Sequence, residues 1–194
     1  MGQSICVYCG SNPGFDLAFR QAALALGAEL GRRRHRLVYG GSHLGLMGLL
    51  ADAVLANGGE VTGVVPRLLV EKEAAYLELK DLRMVDSMHQ RKALMADLAD
   101  GFVSLPGGFG TLDETFEIAT WAQLGLHAKP LVLWNVNGFY DALFTFLDGI
   151  VTAGLLRPQH RSLVREARSL DEVFSRLAEP VEPGAGKWLP GDLR

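Results

Sequence analysis

Residues 105–117 read Leu-Pro-Gly-Gly-Phe-Gly-Thr-Leu-Asp-Glu-Thr-Phe-Glu, an apolar strand end followed by a glycine-rich turn and a helix with acids in its first turns. Glycines in such a turn let backbone N–H groups approach an anion without obstruction from side chains. The helix that follows presents the positive end of its dipole at the same point. The stretch therefore predicts a phosphate-binding turn between a strand and a helix.

The same alternation of apolar strands and helical patterns extends along most of the chain. It predicts strands at 4–8, 36–39, 61–65, 82–85, 101–105 and 130–134, and helices near 16–33, 46–56, 88–99, 111–123 and 139–153. Strands that alternate with helices form right-handed crossovers and a parallel sheet. We therefore expect an α/β, Rossmann-like doubly wound, mainly parallel sheet with helices on both faces.

Two further glycine turns follow the first and second predicted strands. One contains Gly10 and Ser11, and the other contains Gly40 and Gly41. A single glycine turn is weak support for a ligand site, but in an open parallel sheet all three turns gather at the carboxyl edge, where ligands bind. We therefore take these residues as secondary candidates for the binding site.

A dinucleotide cofactor is not expected at these turns. The first turn lacks the Gly-x-Gly-x-x-Gly spacing, and no acidic residue follows the second strand at the usual distance. The sequence therefore disfavours NAD or FAD, and no cofactor is predicted.

Bulk composition is that of one domain with a small-molecule ligand. The chain has 194 residues, 48% of them hydrophobic, and a net charge of −3. Residues 1–180 are predicted to form a single domain, and the Pro- and Gly-rich residues 181–194 an irregular tail. Without a basic stripe or an apolar run of membrane-spanning length, neither nucleic acid nor membrane is an expected partner. The expected location is the cytoplasm.

Cys6 and Cys9 form a Cys-x-x-Cys spacing that is also found in redox and zinc sites. No second Cys pair or His pair completes a zinc set, and Cys6 lies within an apolar run. We interpret both residues as buried thiols and predict no metal site.

The helix predicted near residue 88 carries a candidate charged pair. Ser87 and Gln90 have the spacing of a capping box, which places Arg91 and Lys92 just inside the helix. Arg91 shares its helix face with an apolar stripe, so its charge requires a counter-ion. That partner is either an acid such as Glu114, in a structural ion pair, or the phosphate or departing base of a nucleotide.

Glu114 is the first catalytic candidate. Thr111 and Glu114 also fit a Thr-x-x-Glu capping box, in which both residues would simply close the helix N-terminus. Capping does not require the glycines that precede Thr111 or the further acid Glu117. A carboxylate near a helix N-terminus is favoured in the ionised form that a general base needs.

The nine residues from Pro106 to Glu114 resemble the Pro-Gly-Gly-x-Gly-Thr-x-x-Glu signature of the LONELY GUY (LOG) family, cytokinin riboside 5′-monophosphate phosphoribohydrolases formerly labelled lysine decarboxylases. Four other segments are similar to the same family: Met88-His-Gln-Arg-Lys92, Val38-Tyr-Gly-Gly41, Gly45-Leu-Met-Gly48 and Trp121-Ala-Gln-Leu-Gly125. The resemblance covers roughly residues 5–156, and several spaced motifs are far more specific than one glycine turn.

This resemblance implies hydrolysis of the N-glycosidic bond of purine or cytokinin nucleoside 5′-monophosphates, AMP included, to free base and ribose 5-phosphate. It implies Arg91 and Glu114 as the catalytic pair, and further nucleotide contacts at Glu73, Lys92, Gly108, Phe109, Gly110, Thr111, Leu112, Asp113 and Thr120. It also implies a homodimer or larger homo-oligomer formed by helices beside the site, with Trp121, Leu124 and Leu126 as apolar contacts.

These residues support two other functions less well. Lysine decarboxylation generally requires pyridoxal phosphate on a lysine within a larger site, and the lysines here show no such setting. A non-catalytic nucleotide-binding sensor or carrier would use the same phosphate-binding turn. The presence of both Arg91 and Glu114 favours the enzyme.

Overall fold

The computed structural model describes residues 2–70 and 74–181, which contain one seven-stranded parallel sheet. Its strands are β1 (Ser4–Tyr8), β2 (Arg36–Tyr39), β3 (Glu60–Pro66), β4 (Asp81–Val85), β5 (Gly101–Ser104), β6 (Leu131–Trp134) and β7 (Val164–Ala167), in the order β4-β3-β2-β1-β5-β6-β7. Every pairing is parallel. The doubly wound fold predicted from the sequence is confirmed.

The strand order reverses between β1 and β5, and this reversal positions the candidate site. Strands β2, β3 and β4 are added on one side of β1, whereas β5, β6 and β7 are added on the other. In such sheets a crevice opens outside the carboxyl ends of the strands at the point of reversal. The turns after β1 and β5 therefore flank the position where a ligand is expected.

Helices cover both faces of the sheet. They are α1 (Leu17–Arg32), α2 (Gly45–Ala56), α3 (Met88–Leu98), α4 (Phe109–Gln123), α5 (Asp141–Thr152), α6 (Pro158–Arg161) and α7 (Leu170–Ala178). Alternate residues of β1 point to opposite faces, so Ile5 and Val7 pack with α1, α2 and α7, while Cys6 and Tyr8 pack with α3, α4 and α5. Arg91 and Glu114, on α3 and α4, therefore lie on the same face.

The C-terminal elements β7, α6 and α7 were not predicted from the sequence. β7 is a four-residue edge strand whose central residues, Arg165 and Glu166, are charged and only partly buried. Its sequence therefore lacks the apolar run by which a buried strand is recognised. The short helix α7 is capped by Ser169, whose side chain accepts from the N–H of Glu172.

The predicted tail and the predicted lack of a membrane-spanning segment concern different parts of the chain. The tail predicted at 181–194 lies outside them except for residue 181. Among residues 2–70 and 74–181, the structure contains no helix that is long and apolar enough to span a bilayer.

Candidate active site

The glycine turns after β1, β2 and β5 meet at the carboxyl edge of the sheet, as predicted, around a cavity of about 190 Å³. This central cavity is lined by Gly10 and Ser11 from the first turn, by Gly40 from the second, and by Gly108 and Gly110 from the third. Phe109, Thr111, Arg91 and Glu114 also line it. Parallel strand order thus brings together segments that are about a hundred residues apart in the sequence.

Helix α4 begins at Phe109, two residues earlier than the sequence pattern predicted. Gly108 is the N-cap residue and makes no side-chain capping bond, while Thr111 is the third residue of the helix. The capping-box interpretation of Thr111 and Glu114 is therefore wrong. The first four N–H groups of a helix, here those of residues 108–111, have no acceptor within the helix and are available to an anion.

The glycines of this turn serve different purposes. A Cβ at Gly107 would overlap the side chain of Thr111, so Gly107 is required for close packing. A Cβ at Gly108 or Gly110 would meet no atom within 4 Å. These two residues therefore leave open space at the N-terminus of α4, where we expect the phosphate of a ligand to bind.

Substitution of Gly110 by alanine tests this use of space. Cβ atoms in a helix tilt toward its N-terminus, so the added methyl group would point toward the bound anion. We expect KM for AMP to rise about tenfold, a loss of about 1.4 kcal/mol, while stability stays the same or increases by up to about 1 kcal/mol. Steady-state kinetics and thermal unfolding measure the two effects, and an unchanged KM would argue against phosphate binding at this turn.

Arg91 is buried, with a relative exposure of 6%, and each of its nitrogens has a partner. Its Nε donates to the carbonyl of Val64 at 3.1 Å, and its Nη2 donates to the carbonyl of Gly40 at 3.3 Å. Its Nη1 lies 3.3 Å from Glu114 Oε1. The predicted ion pair between Arg91 and Glu114 is thus present, inside the cavity that the glycine turns form.

The start of α3 explains why Arg91 occupies this position. Ser87 caps the helix by accepting from the N–H of Gln90, as predicted. The side-chain oxygen of Gln90 accepts a hydrogen bond from the N–H of Asp86, the residue before the cap. Capping fixes the first turn of α3, so Arg91 points inward, above the buried Met95.

Glu114 has a relative exposure of 8% and is the sixth residue of α4. The helix dipole acts mainly within the first turn. Glu114 therefore lies beyond the turn in which the dipole acts most strongly, and its carboxylate faces the Arg91 guanidinium. A buried ion pair is weak support for stability, since desolvation offsets much of the attraction. Its position in the lining of the central cavity favours a role in binding or catalysis.

Lys92 lies outside the central cavity, between two acids of α4. Its Nζ is 3.0 Å from Asp113 and 3.2 Å from Glu117. Burial lowers the pKa of Lys92, but the bonds to these carboxylates outweigh burial and hold the pKa above its ordinary value. Lys92 therefore stays protonated and ties α3 to α4.

Other predicted contacts are also separated from the central cavity. Leu112, Asp113 and Thr120 line a groove along α4, and Phe109 borders both the groove and the cavity. The hydroxyl of Thr120 donates to the carbonyl of Phe116. Gly41 is not among the residues that line the cavity; its φ is +78°, and its carbonyl accepts a hydrogen bond from the N–H of Tyr76. Glu73 lies outside the described residues.

Some residues at the cavity were not singled out from the sequence. Val7, Tyr8, Cys9 and Met47 line it. Burial raises the pKa of Tyr8 well above its ordinary value, and the charge of Glu114 adds to the effect. The sequence could have indicated these residues only by their position, since Val7 and Tyr8 are the last residues of β1 and Cys9 directly follows it.

Cys6 and Cys9 are buried free thiols, as predicted. Burial raises the pKa of both thiols, and the neighbouring charge of Glu114 acts in the same direction. Because the thiolate is the reactive form, neither residue is suited to redox chemistry.

We expect both thiols to be nearly inert in the folded protein. At about pH 8, where an exposed cysteine reacts readily, an aromatic disulfide reagent should modify them slowly, and rapidly only after denaturation. Absorbance of the released thiolate measures the rate. Fast stoichiometric reaction of the native protein would contradict this assignment.

The chain is similar to several known proteins. The family model described as "Possible lysine decarboxylase" matches residues 47–177. "Probable cytokinin riboside 5′-monophosphate phosphoribohydrolase LOGL9" of Oryza sativa subsp. japonica is 49% identical over 177 residues, which cover 91% of this chain and 78% of the relative. Cytokinin riboside 5′-monophosphate phosphoribohydrolase LOG7 of Arabidopsis thaliana is 46% identical over 175 residues, 90% of this chain and 81% of the relative.

Among solved structures, the Moco carrier protein from Chlamydomonas reinhardtii matches with a TM-score of 0.66 at 20% identity. The match covers 90% of this chain and 94% of the carrier. At this level of identity the comparison shows a shared fold only.

Proposed function

The chain belongs to the LOG family of cytokinin riboside 5′-monophosphate phosphoribohydrolases, and on that premise we propose that it hydrolyses the N-glycosidic bond of purine and cytokinin nucleoside 5′-monophosphates. Water adds to C1′ of the ribose while the bond from C1′ to the base nitrogen breaks. The products are ribose 5-phosphate, which keeps the hydroxyl group of the water on C1′, and the free base, whose nitrogen takes up the proton. AMP and its N6-substituted derivatives are the proposed substrates.

One observation carries this proposal: the buried pair of Arg91 and Glu114 lines a cavity that the N-terminus of α4 also lines. The N–H groups of residues 108–111 suit the 5′-phosphate. Held there, the sugar of a nucleoside monophosphate extends into the cavity toward Glu114. Binding energy from the phosphate would then orient the anomeric carbon for attack.

The chemistry of the bond fits this pair of side chains. As the bond breaks, positive charge develops on the ribose ring and negative charge on the leaving base. The Glu114 carboxylate stabilises the ribose cation and can accept a proton from the attacking water. The Arg91 guanidinium balances the charge of Glu114 and of the departing base.

Product analysis tests the proposal. The protein is incubated with AMP and with N6-isopentenyladenosine monophosphate, and free base and ribose 5-phosphate are quantified by chromatography. We expect equimolar release of both products. Nucleotide binding without base release over a long incubation would instead identify a non-catalytic sensor or carrier, and release of cadaverine from lysine would identify a decarboxylase.

We also propose that the protein works as a homodimer or larger homo-oligomer. Thr120 follows Gly108 by twelve residues, or about 18 Å along a helix, which is too far for one nucleotide to contact both residues of one α4. A second copy placed along the α4 groove could supply Thr120 to its neighbour's site. Leu124 and Leu126, which are exposed at the end of α4, are suited to an apolar interface.

Light scattering coupled to size-exclusion chromatography tests this assembly. We expect a mass of at least twice the 21.0 kDa of the chain. Leu126→Asp should shift the mass toward the monomer, because the exposed side chain would introduce a charge into the interface. Leu17→Asp, an equally exposed position on the opposite face of the sheet, serves as the control. A monomeric wild-type protein would refute the assembly.

The proposed location is the cytoplasm. Buried free thiols at Cys6 and Cys9 are compatible with a compartment in which thiols stay reduced. Imaging of a tagged protein would test this.

A further inference from the structure

We propose that Gly40 is a positioning residue for Arg91: its missing side chain provides the space in which the guanidinium docks. The inference concerns the contacts of Arg91, and its effect on turnover rests on the hydrolysis proposed above. It changes the interpretation of the second glycine turn, which the sequence suggested as a ligand-binding loop.

Space, and not backbone conformation, accounts for glycine at position 40. Seven glycines of the described residues have a positive φ, Gly41 among them, but Gly40 does not. A residue with a side chain could therefore adopt the backbone conformation of Gly40. A Cβ added there would, however, overlap the Nη2 of Arg91 and lie 3.1 Å from the Sδ of Met47.

The carbonyl groups of Gly40 and Val64 fix the plane of the guanidinium. They accept from Nη2 and Nε, so the residue that follows β2 and a residue within β3 hold two of the three nitrogens. Both acceptors are backbone groups, which do not titrate, so this anchoring does not depend on the ionisation of Glu114. The third nitrogen, Nη1, is thereby directed toward Glu114 and the cavity.

Alanine at position 40 should displace Arg91 without unfolding the protein. The three atoms nearest to the added Cβ, Nη2 and Cζ of Arg91 and Sδ of Met47, are all near the ends of flexible side chains. The guanidinium can withdraw by rotation about its side-chain torsions, whereas strands β2 and β3 stay in place. The expected consequence is a folded protein with a misplaced Arg91.

A double-mutant cycle tests whether Gly40 acts through Arg91. The four proteins are wild type, Gly40→Ala, Arg91→Ala and the double variant, assayed for base release from AMP under single-turnover conditions. In the wild-type background we expect Gly40→Ala to lower the rate of base release by about 10²-fold, as for a misplacement of about 1 Å, while the affinity for AMP changes little. In the Arg91→Ala background the same substitution should have no further effect. Equal losses in both backgrounds would overturn the proposal.

Thermal unfolding of the same four proteins gives a readout independent of the reaction. Gly40→Ala should lower the unfolding midpoint of the wild type, because Arg91 loses its anchors, but should leave that of Arg91→Ala unchanged. Gly149→Ala is the matched control, since it adds a methyl group in open space within α5 and should not affect base release. If none of the four proteins releases base, the proposed function fails, but the unfolding midpoints still test whether Gly40 makes room for Arg91. If Gly40→Ala lowered the midpoints of wild type and of Arg91→Ala equally, the role of Gly40 would be refuted.

Discussion

Replacement of Glu114 by glutamine is expected to lower kcat for base release from AMP by roughly 10²- to 10⁴-fold, the usual contribution of a positioned acid or base. Glutamine has nearly the same shape, so the cavity and the packing of α4 should persist. It carries no charge, however, and can neither stabilise the ribose cation nor accept a proton from water. The loss should therefore appear in kcat, with KM for AMP nearly unchanged, since the phosphate is held elsewhere.

Glu117→Gln provides a control on the same helix. Glu117 pairs with Lys92 and does not line the central cavity. We expect its effect on kcat to be less than about threefold, as for a charge that is not at the reacting atoms. A folded Glu114→Gln protein with wild-type kcat would show that Glu114 is only a structural partner of Arg91.

Arg91→Ala is expected to reduce both activity and stability. The substitution leaves the Glu114 carboxylate buried without this counter-ion, and removal of one partner of a buried pair typically costs about 3–5 kcal/mol. For a chain of this size, such a loss lowers Tm by roughly 10 °C. Turnover should also fall by about 10²-fold or more, because the guanidinium stabilises developing charge.

Comparison of Arg91→Ala with Arg91→Lys separates charge from geometry. Lysine restores a positive charge but not the planar set of donors that binds the carbonyls of Val64 and Gly40. We expect Arg91→Lys to recover part of the stability and little of the activity, as measured by calorimetry and base release. Full activity in either folded variant would refute the assignment of Arg91 to catalysis.

The sequence predicted the sheet and the location of the site because both depend on local patterns. Apolar runs define the central strands, and glycine turns mark their carboxyl ends, which parallel order then brings together. The edge strand β7 was missed, since Arg165 and Glu166 interrupt its apolar pattern. The predicted start of α4 is two residues late, because Thr111 has the pattern of a side-chain cap whereas Gly108 caps the helix without one.

The finer arrangement of the site depends on tertiary contacts that no local pattern encodes. For Arg91 the sequence left open which acid is its partner, and the fold places Glu114 beside it. The anchoring of Arg91 by the Val64 carbonyl involves a backbone group, which is present at every position and therefore carries no sequence signal.

The most direct test of the central claim is a crystal structure of Glu114→Gln with AMP bound, since the slow variant should preserve the substrate. We predict the 5′-phosphate within hydrogen-bonding distance of the N–H groups of residues 108–111. The ribose C1′ should face residue 114 and the Arg91 guanidinium. A phosphate bound away from the N-terminus of α4, with the turn empty, would contradict the account.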